Sequence, residues 1–311
     1  MIKKTLYFGN PAYLSLSNKQ LVVKLPEVEK NETIPDEMKA RSKATIPIED
    51  IGVVVLDNKQ ITITQGLLAA LLDNTVAVIN CNDQHMPVGM FMPLHGNTTY
   101  QERFRNQLES SVPLRKQMWQ QTIMAKIENQ AKVLDEVTGK VNTNMHKWAK
   151  DVKSGDADMH ESRAAVYYWK NLFVNRPNFI RDQNGEPPNN LLNYGYSILR
   201  GVIARSLVVS GLLPVMGIHH HNKYNPYCLA DDIMEPYRPF VDKLVISIMG
   251  SHEIGEELTT DLKRELLSIP VLDVKIGGKR SPLMIAAGQT TASLAKCFNG
   301  ESRKLVYPEI V

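Results

Sequence analysis

Residues 86–134 read MPVGMFMPLHGNTTYQERFRNQLESSVPLRKQMWQQTIMAKIENQAKVL. Within this stretch the apolar side chains change period. Residues 86–93 read as a last strand, whereas from Tyr100 onward Phe104 and Leu108 recur at four-residue spacing. Trp119, Ile123, Ile127, Ala131 and Leu134 then continue one stripe along a longer helix, because side chains three or four positions apart share a helical face. The chain is therefore expected to be α+β: a small N-terminal β-sheet domain over residues 1–92, a hinge at 93–98, and a larger all-α domain over 99–311.

Working toward the N-terminus, residues 5–8 and 13–17 lead through an Asn18-Lys19 turn into 21–25, a hairpin-like pair. The charged stretch 26–43 reads as a solvated loop. Residues 51–56 and 61–64 flank Asp57-Asn58, a second hairpin signal, and 66–72 suits one small helix before a further strand at 76–80. Toward the C-terminus, helical stripes recur at 161–173, 190–209, 229–249 and 281–297, separated by glycines and prolines such as Gly139, Pro187-Pro188 and Gly277-Gly278.

The 311 residues, 43% of them apolar, exceed the ~100–200 typical of one domain and supply a real core, which excludes a disordered chain. Three cysteines without C-x-x-C spacing argue against a disulfide scaffold or a thiolate zinc module and imply a cytoplasmic protein. The first residues lack the apolar stretch of a signal peptide, and the longest apolar run, 207–218, is too short and too broken to span a bilayer. A net charge of +3 does not announce a nucleic-acid partner; residues 1–92 hold 9 Lys+Arg against 10 Asp+Glu, so the basic excess belongs to the C-terminal part.

Three places in the helical region carry metal-ligating residue types. Glu161 opens an otherwise apolar, aromatic helix; His219, His220 and His221 follow a Gly/Pro-rich turn; Asp231, Asp232 and Glu235 are spaced so that up to three carboxylates share a helix face. Such acids would repel unless a cation compensates, either Arg238 or a divalent metal. Pro236 cannot donate a backbone hydrogen bond and crowds the preceding turn, so a kink is expected where Glu235 projects. Plain roles also suit these residues: acids at the positive end of a helix, a solvated histidine run, an acidic turn paired with Arg238. Taken together, two carboxylates and one imidazole from separate segments, with Asp232 as an auxiliary group, favour Mg2+ or Mn2+ and phosphoester chemistry.

At these residues the chain resembles the CRISPR-associated adaptation integrases, the universal first member of the Cas protein series. Four motifs stand in the family's order: Glu161 ahead of Ala164-Ala165 and Tyr168-Trp169; Asn-Asn-Leu-Leu-Asn-Tyr-Gly-Tyr at 189–196; Gly-Leu-x-Pro-x-x-Gly-x-x-His at 211–220; Leu-Ala-x-Asp-x-Met-Glu-x-x-Arg-Pro at 229–239. The resemblance implies metal ligands at Glu161, His220 and Glu235, the last a glutamate where many relatives carry aspartate, as in type II systems. The assignment of His220 between two other histidines rests on its spacing from Gly217.

The resemblance further implies DNA integration and metal-dependent DNA cleavage with Mg2+ or Mn2+, and dimerisation through the β domain. It implies a heterohexamer in which two integrase dimers are bridged by a dimer of a small ferredoxin-like partner subunit. The 3′-hydroxyl of a captured double-stranded DNA fragment would attack a phosphodiester at the repeat boundary of a CRISPR array. In type II systems the family also cooperates with the RNA-guided effector nuclease. Asp232 would orient a ligand or water. Arg163, Lys170, Asn193, Tyr194 and Arg200 are candidate phosphate contacts, as are Lys275, Lys279 and Arg280 around Gly277-Gly278. Two other readings share these residues: a free-standing metal-dependent nuclease on branched DNA, and a non-catalytic DNA-binding assembly factor.

Overall fold

The computed structural model describes residues 3–31, 35–83, 85–93, 99–176 and 179–310. The chain divides into two compact units, Met1–Gly96 and Asn97–Val311. The hinge expected at 93–98 lies, apart from Pro93, outside the described residues.

The strands of the first unit are β1 (Lys4–Phe8), β2 (Tyr13–Ser17), β3 (Gln20–Lys24), β4 (Ala44–Pro47), β5 (Ile51–Leu56), β6 (Thr62–Ile63), β7 (Ala77–Cys81) and β8 (Pro87–Phe91). Helices α1 (Pro26–Glu29), α2 (Asp36–Arg41) and α3 (Gln65–Asp73) lie between them. One sheet runs β1-β5-β7-β8, parallel except for β8. The other runs β4-β3-β2-β6, antiparallel except for the β2–β6 pair. Ile51–Leu56 is buried at all six positions, as its unalternating apolar run requires of a central parallel strand. Leu14, Leu21, Ile51, Val54, Leu67, Leu71 and Val78 form one apolar cluster. The N-terminus of α3 is capped by the Thr64 hydroxyl, which accepts from the Leu67 N–H at 3.4 Å.

Two expectations for this unit are corrected. Asp57-Asn58 does not close a hairpin: β5 pairs with β1 and β7, and β6 pairs with β2 in the other sheet. The Asp57 N–H donates to Phe8 O at 2.9 Å and the Tyr7 hydroxyl to the Asp57 carboxylate at 2.6 Å, which fastens this turn to β1. The stretch 26–43 is not wholly loop, since α1 and α2 lie within it.

The second unit comprises α4 (Tyr100–Leu108), α5 (Val112–Thr138), α6 (Thr143–Asp151), α7 (His160–Leu172), α8 (Asn189–Val209), α9 (Cys228–Met234), α10 (Arg238–Ser251), α11 (Thr260–Leu266) and α12 (Leu283–Phe298). The long helix α5 starts where Ser111 accepts from the Leu114 N–H and stops at Gly139, whose φ of 66° is the left-handed conformation that glycine adopts without a side-chain clash. Helix α8 is apolar nearly all round and packs against α9, α10 and α12, the behaviour of a helix enclosed by others. A Cβ on Gly195 would stand 2.6 Å from Val241 Cγ1, so a hydrogen at this position is what lets α8 and α10 approach. No described helix is long and apolar enough to cross a membrane.

The expectation of an all-α second unit is also corrected. Strands β9 (Asp273–Ile276) and β10 (Lys279–Pro282) form an antiparallel hairpin. Its turn is Gly277-Gly278, with φ of 55° and 80°, the doubly left-handed turn that a two-residue hairpin demands.

Candidate metal centre

Four segments of the helical unit converge here. Glu161 sits in the first turn of α7, entered through left-handed residues Gly155, Asp156 and Met159. The Asp156 carboxylate accepts the His160 N–H at 2.9 Å and the Glu161 N–H at 3.0 Å, so Asp156 caps the helix and leaves the Glu161 side chain for another task. Glu235 stands at the joint between α9 and α10, where Glu235–Tyr237 forms a single 3₁₀ turn. Pro236, which has no N–H to donate, stands in this turn, where the α-helical hydrogen bonding is interrupted, and Glu235 is almost fully buried.

What joins the two acids is Lys126 of α5. Its Nζ lies 2.7 Å from Glu161 Oε1 and 2.6 Å from Glu235 Oε2. Glu235 Oε1 is paired in turn with Arg238 Nε at 2.9 Å. Burial alone would push the Glu235 carboxyl up, but Arg238 and Lys126 outweigh it and hold the group down at about 2. Burial likewise opposes the Lys126 ammonium, and the charges of Glu235 and Glu161 more than restore it, so its pKa stands above the ordinary lysine value.

The histidine run is sorted by its neighbours. Asp232, fully buried, accepts the His219 N–H at 2.9 Å through Oδ2 and the His220 N–H at 3.3 Å through Oδ1. The same Oδ1 lies 2.5 Å from His220 Nδ1. That contact assigns the Nδ1 proton to Asp232 and presents Nε2 as the lone-pair donor, the arrangement that orients a ligating imidazole. The Asp232 hydrogen bond is also the largest influence raising the His220 pKa. His219 stacks flat on Trp119, with ring centroids 4.1 Å apart, and Trp119 meets His220 edge-on at 5.5 Å. His221 is exposed. Gly217 makes the wrap possible, since a Cβ there would stand 2.9 Å from Asp232 Oδ2 and run into the His220 carbonyl oxygen.

The three acids of the α9 segment do not share one face. Asp231 faces Arg200 Nε at 2.7 Å and Asn225 Nδ2 at 2.6 Å, Asp232 faces the histidines, and Glu235 faces Lys126 and Arg238. Glu161 and Glu235 are brought together on one ammonium, and their charges both act on His220. Among the described residues no three His, Cys, Asp or Glu side chains already stand in metal-holding geometry. The two carboxylates are instead drawn onto Lys126. That buried cation holds the two carboxylates together, and a donor set of two carboxylates and one oriented imidazole suits the chemistry of Mg2+ or Mn2+.

Of the candidate phosphate contacts, Arg163 and Lys170 are exposed along α7, Arg163 lying over the Trp148 ring. Asn193 is engaged with Arg181 and Gln183, and Arg200 with Asp231. Tyr194 is fully buried in α8 and has no surface to offer a phosphate. Lys275, Lys279 and Arg280 are exposed on the β9–β10 hairpin, with Lys275 directly opposite Arg280. Sequence reasoning missed Lys126 and Trp119 as members of the site. The signal for Lys126 was a lysine set among Trp119, Ile123 and Ile127 on an apolar stripe, where a lysine is buried only if it is paired.

The family described as CRISPR associated protein Cas1 matches residues 6–268. A CRISPR-associated endonuclease Cas1 from Neisseria meningitidis serogroup C (strain 8013) is 32% identical over 313 residues, spanning 100% of this chain and 97% of that protein. In fold, the chain is similar to a casposase bound to integration product, with a TM-score of 0.75 at 20% identity over 98% of this chain and 92% of the other. It is also similar to a chain of a Cas6-RT-Cas1–Cas2 complex, with a TM-score of 0.73 at 19% identity over 99% of this chain and 36% of the other.

Proposed function

The chain belongs to the CRISPR-associated protein Cas1 family, and from that premise we propose that it is a metal-dependent DNA integrase and endonuclease. It joins the 3′-hydroxyl of a captured double-stranded DNA fragment to a phosphodiester at the repeat boundary of a CRISPR array. The observation that carries this reading is the meeting of Glu161 and Glu235 on Lys126, beside a His220 whose Nδ1 is held by Asp232.

Glu161, Glu235 and Nε2 of His220 would hold Mg2+ or Mn2+. Such an ion, when bound, supplies Lewis-acid polarisation of a phosphate and neutralises charge on the departing oxygen. The chain supplies the rest. Asp232 fixes the plane and proton position of His220, Arg238 holds Glu235 ionised at the α9–α10 joint, and the Trp119 ring backs the histidine pair. Exposed Arg163 and Lys170 on the helix that carries Glu161, with Lys275, Lys279 and Arg280 on the hairpin, offer the local positive surface that a chain of net charge +3 needs for DNA.

The β-sheet unit is the dimerising part, and two dimers are bridged by a dimer of the small ferredoxin-like Cas2 partner into a heterohexamer, with the RNA-guided effector nuclease as a further partner. The free thiols of Cys81, Cys228 and Cys297 fit a cytoplasmic setting. A strand-transfer assay tests the reading: a 3′-hydroxyl duplex and a repeat-containing plasmid should give a joined product with Mn2+ or Mg2+, none with EDTA, and none from His220→Ala. Cleavage without joining would instead support the stand-alone nuclease. DNA binding with neither joining nor cleavage, unchanged in Glu161→Ala, His220→Ala and Glu235→Ala, would support the assembly factor.

A further inference from the structure

Lys126 is an unusual occupant of a site built to hold a cation. It sits in the middle of α5, with its side chain only 11% exposed, and its ammonium touches both carboxylates assigned as metal ligands. With Arg238 on the other oxygen of Glu235, two carboxylates face two cations, and Asp232 is taken up by His220 and two backbone N–H groups. The protein's own cations therefore compensate the charge of both carboxylates. A divalent ion entering this set must take Glu161 and Glu235 from the ammonium, and it leaves two displaced or crowded cations beside it. Like charges brought together at short range in a partly buried site repel strongly.

We propose that Lys126 is a positioning residue that competes with the divalent cation for Glu161 and Glu235, so that metal binds tightly only together with DNA, whose phosphate receives the displaced ammonium. This rests on the metal-centre reading above. The site opens to solvent on the side of His220, whose side chain is 48% exposed, and of Glu161, at 26%, so a four-carbon stem has somewhere to swing. By linkage, an anion that stabilises the released Lys126 raises metal affinity, and bound metal raises DNA affinity by the same factor. In the absence of both, the Lys126 bridge keeps the two carboxylates close enough to be taken up together when the metal arrives.

The test is Mn2+ binding to the purified full-length protein, read from the loss of the free-ion EPR signal, with and without a 3′-hydroxyl DNA duplex. Wild type should bind at least about tenfold more tightly with the duplex than without it. Lys126→Met should bind Mn2+ at least about tenfold more tightly than wild type when DNA is absent, with a smaller gain on adding the duplex. Lys126→Arg, which keeps the charge, should return the weak, DNA-dependent binding. Should Lys126→Met fail to fold, as a circular dichroism spectrum would reveal, the wild-type and Lys126→Arg pair decides the matter. Equal Mn2+ affinity of wild type with and without DNA overturns the inference while leaving the metal centre standing. Absence of Mn2+ binding under every condition, or binding undiminished in Glu161→Ala, overturns the metal centre and the inference with it.

Discussion

Asp232 Oδ1 lies 2.5 Å from His220 Nδ1, and the same carboxylate accepts the backbone N–H groups of His219 and His220. One fully buried acid thus sets both the path of the histidine loop and the orientation of its working ring. Replacing it by alanine leaves the imidazole free to rotate and two N–H groups without their acceptor. Asp232→Ala should lose about 10- to 100-fold in metal affinity or strand-transfer rate, the usual cost of removing a group that orients a ligand. Unchanged Mn2+ affinity and rate would refute this role.

The three consecutive histidines should separate cleanly by substitution. His220→Ala abolishes activity, because its Nε2 is the donor that Asp232 presents. His221→Ala retains near-wild-type rates, since that ring is exposed and outside the Asp232 contact. His219→Ala falls between them, because it removes the ring stacked on Trp119. Rates of joined-product formation for the three variants measure this directly, and a dominant effect at His221 would contradict the assignment.

Gly217→Ala is a small change in a tight place. The added methyl would press on the Asp232 carboxylate and on the His220 carbonyl, so the loop must shift and take His220 with it. The expected outcome is a loss of at least about tenfold in strand transfer with helix content retained by circular dichroism, since a misplacement of about 1 Å can cost two orders of magnitude. Full activity would mean that the loop relaxes without moving the ring.

Asp242 contributes a pH dependence that substitution can isolate. It is buried, accepts from the Tyr168 hydroxyl at 2.8 Å and the Tyr196 hydroxyl at 2.5 Å, and burial pushes its carboxyl up to about 6 from an ordinary 3.8. A folded-state value above the unfolded one means that its stabilising contribution is complete below pH 3.8 and is lost as pH rises through about 6. The loss is about 3 kcal/mol, at roughly 1.4 kcal/mol per pKa unit. Asp242→Asn should therefore gain in melting temperature relative to wild type between pH 4 and pH 7. Parallel melting curves across that range would rule the account out.

The basic hairpin should act through phosphates alone. Lys275 and Arg280 stand opposite each other across β9 and β10, a like-charge pair that costs stability unless an anion lies over it. Replacing Lys279 and Arg280 by alanine should lower the slope of log affinity against log salt by about 0.9 for each phosphate that is no longer neutralised, with Mn2+ affinity unchanged. An unaltered slope would remove the hairpin from the DNA surface.

Much of this molecule is legible along the chain. The strands at 13–17 and 51–56 and the helices over 161–173 and 190–209 follow from periodicity, because each presents its apolar pattern within a single element. The interruption of the α-helix at Pro236 follows from a missing N–H and ring sterics that need no partner. Other features resisted because they depend on distant segments. Asp57-Asn58 has the composition of a hairpin turn, yet the Tyr7 hydroxyl and the Phe8 carbonyl claim it for β1. The hairpin at 273–282 is only four residues per strand, too short for alternation to stand out beside helical neighbours.

For the site, residue types and spacing made two carboxylates, an imidazole and an auxiliary aspartate available in the helical part, and the family resemblance picked out Glu161, Glu235 and His220 among the candidates. The motif order identified the family, because chemistry that needs fixed residues leaves them at fixed local spacings. Only the tertiary structure decided how they are used. Asp231, Asp232 and Glu235 are neighbours in sequence but face three different partners, since the α-helix gives way to a 3₁₀ turn at Glu235 and Arg200, the histidine loop and Lys126 approach from different segments. Lys126 lies 35 residues from Glu161 in sequence and touches it at 2.7 Å. No local pattern encodes that contact, because it exists only once α5, α7 and the α9–α10 joint have packed and the buried ammonium has to find its counter-charges.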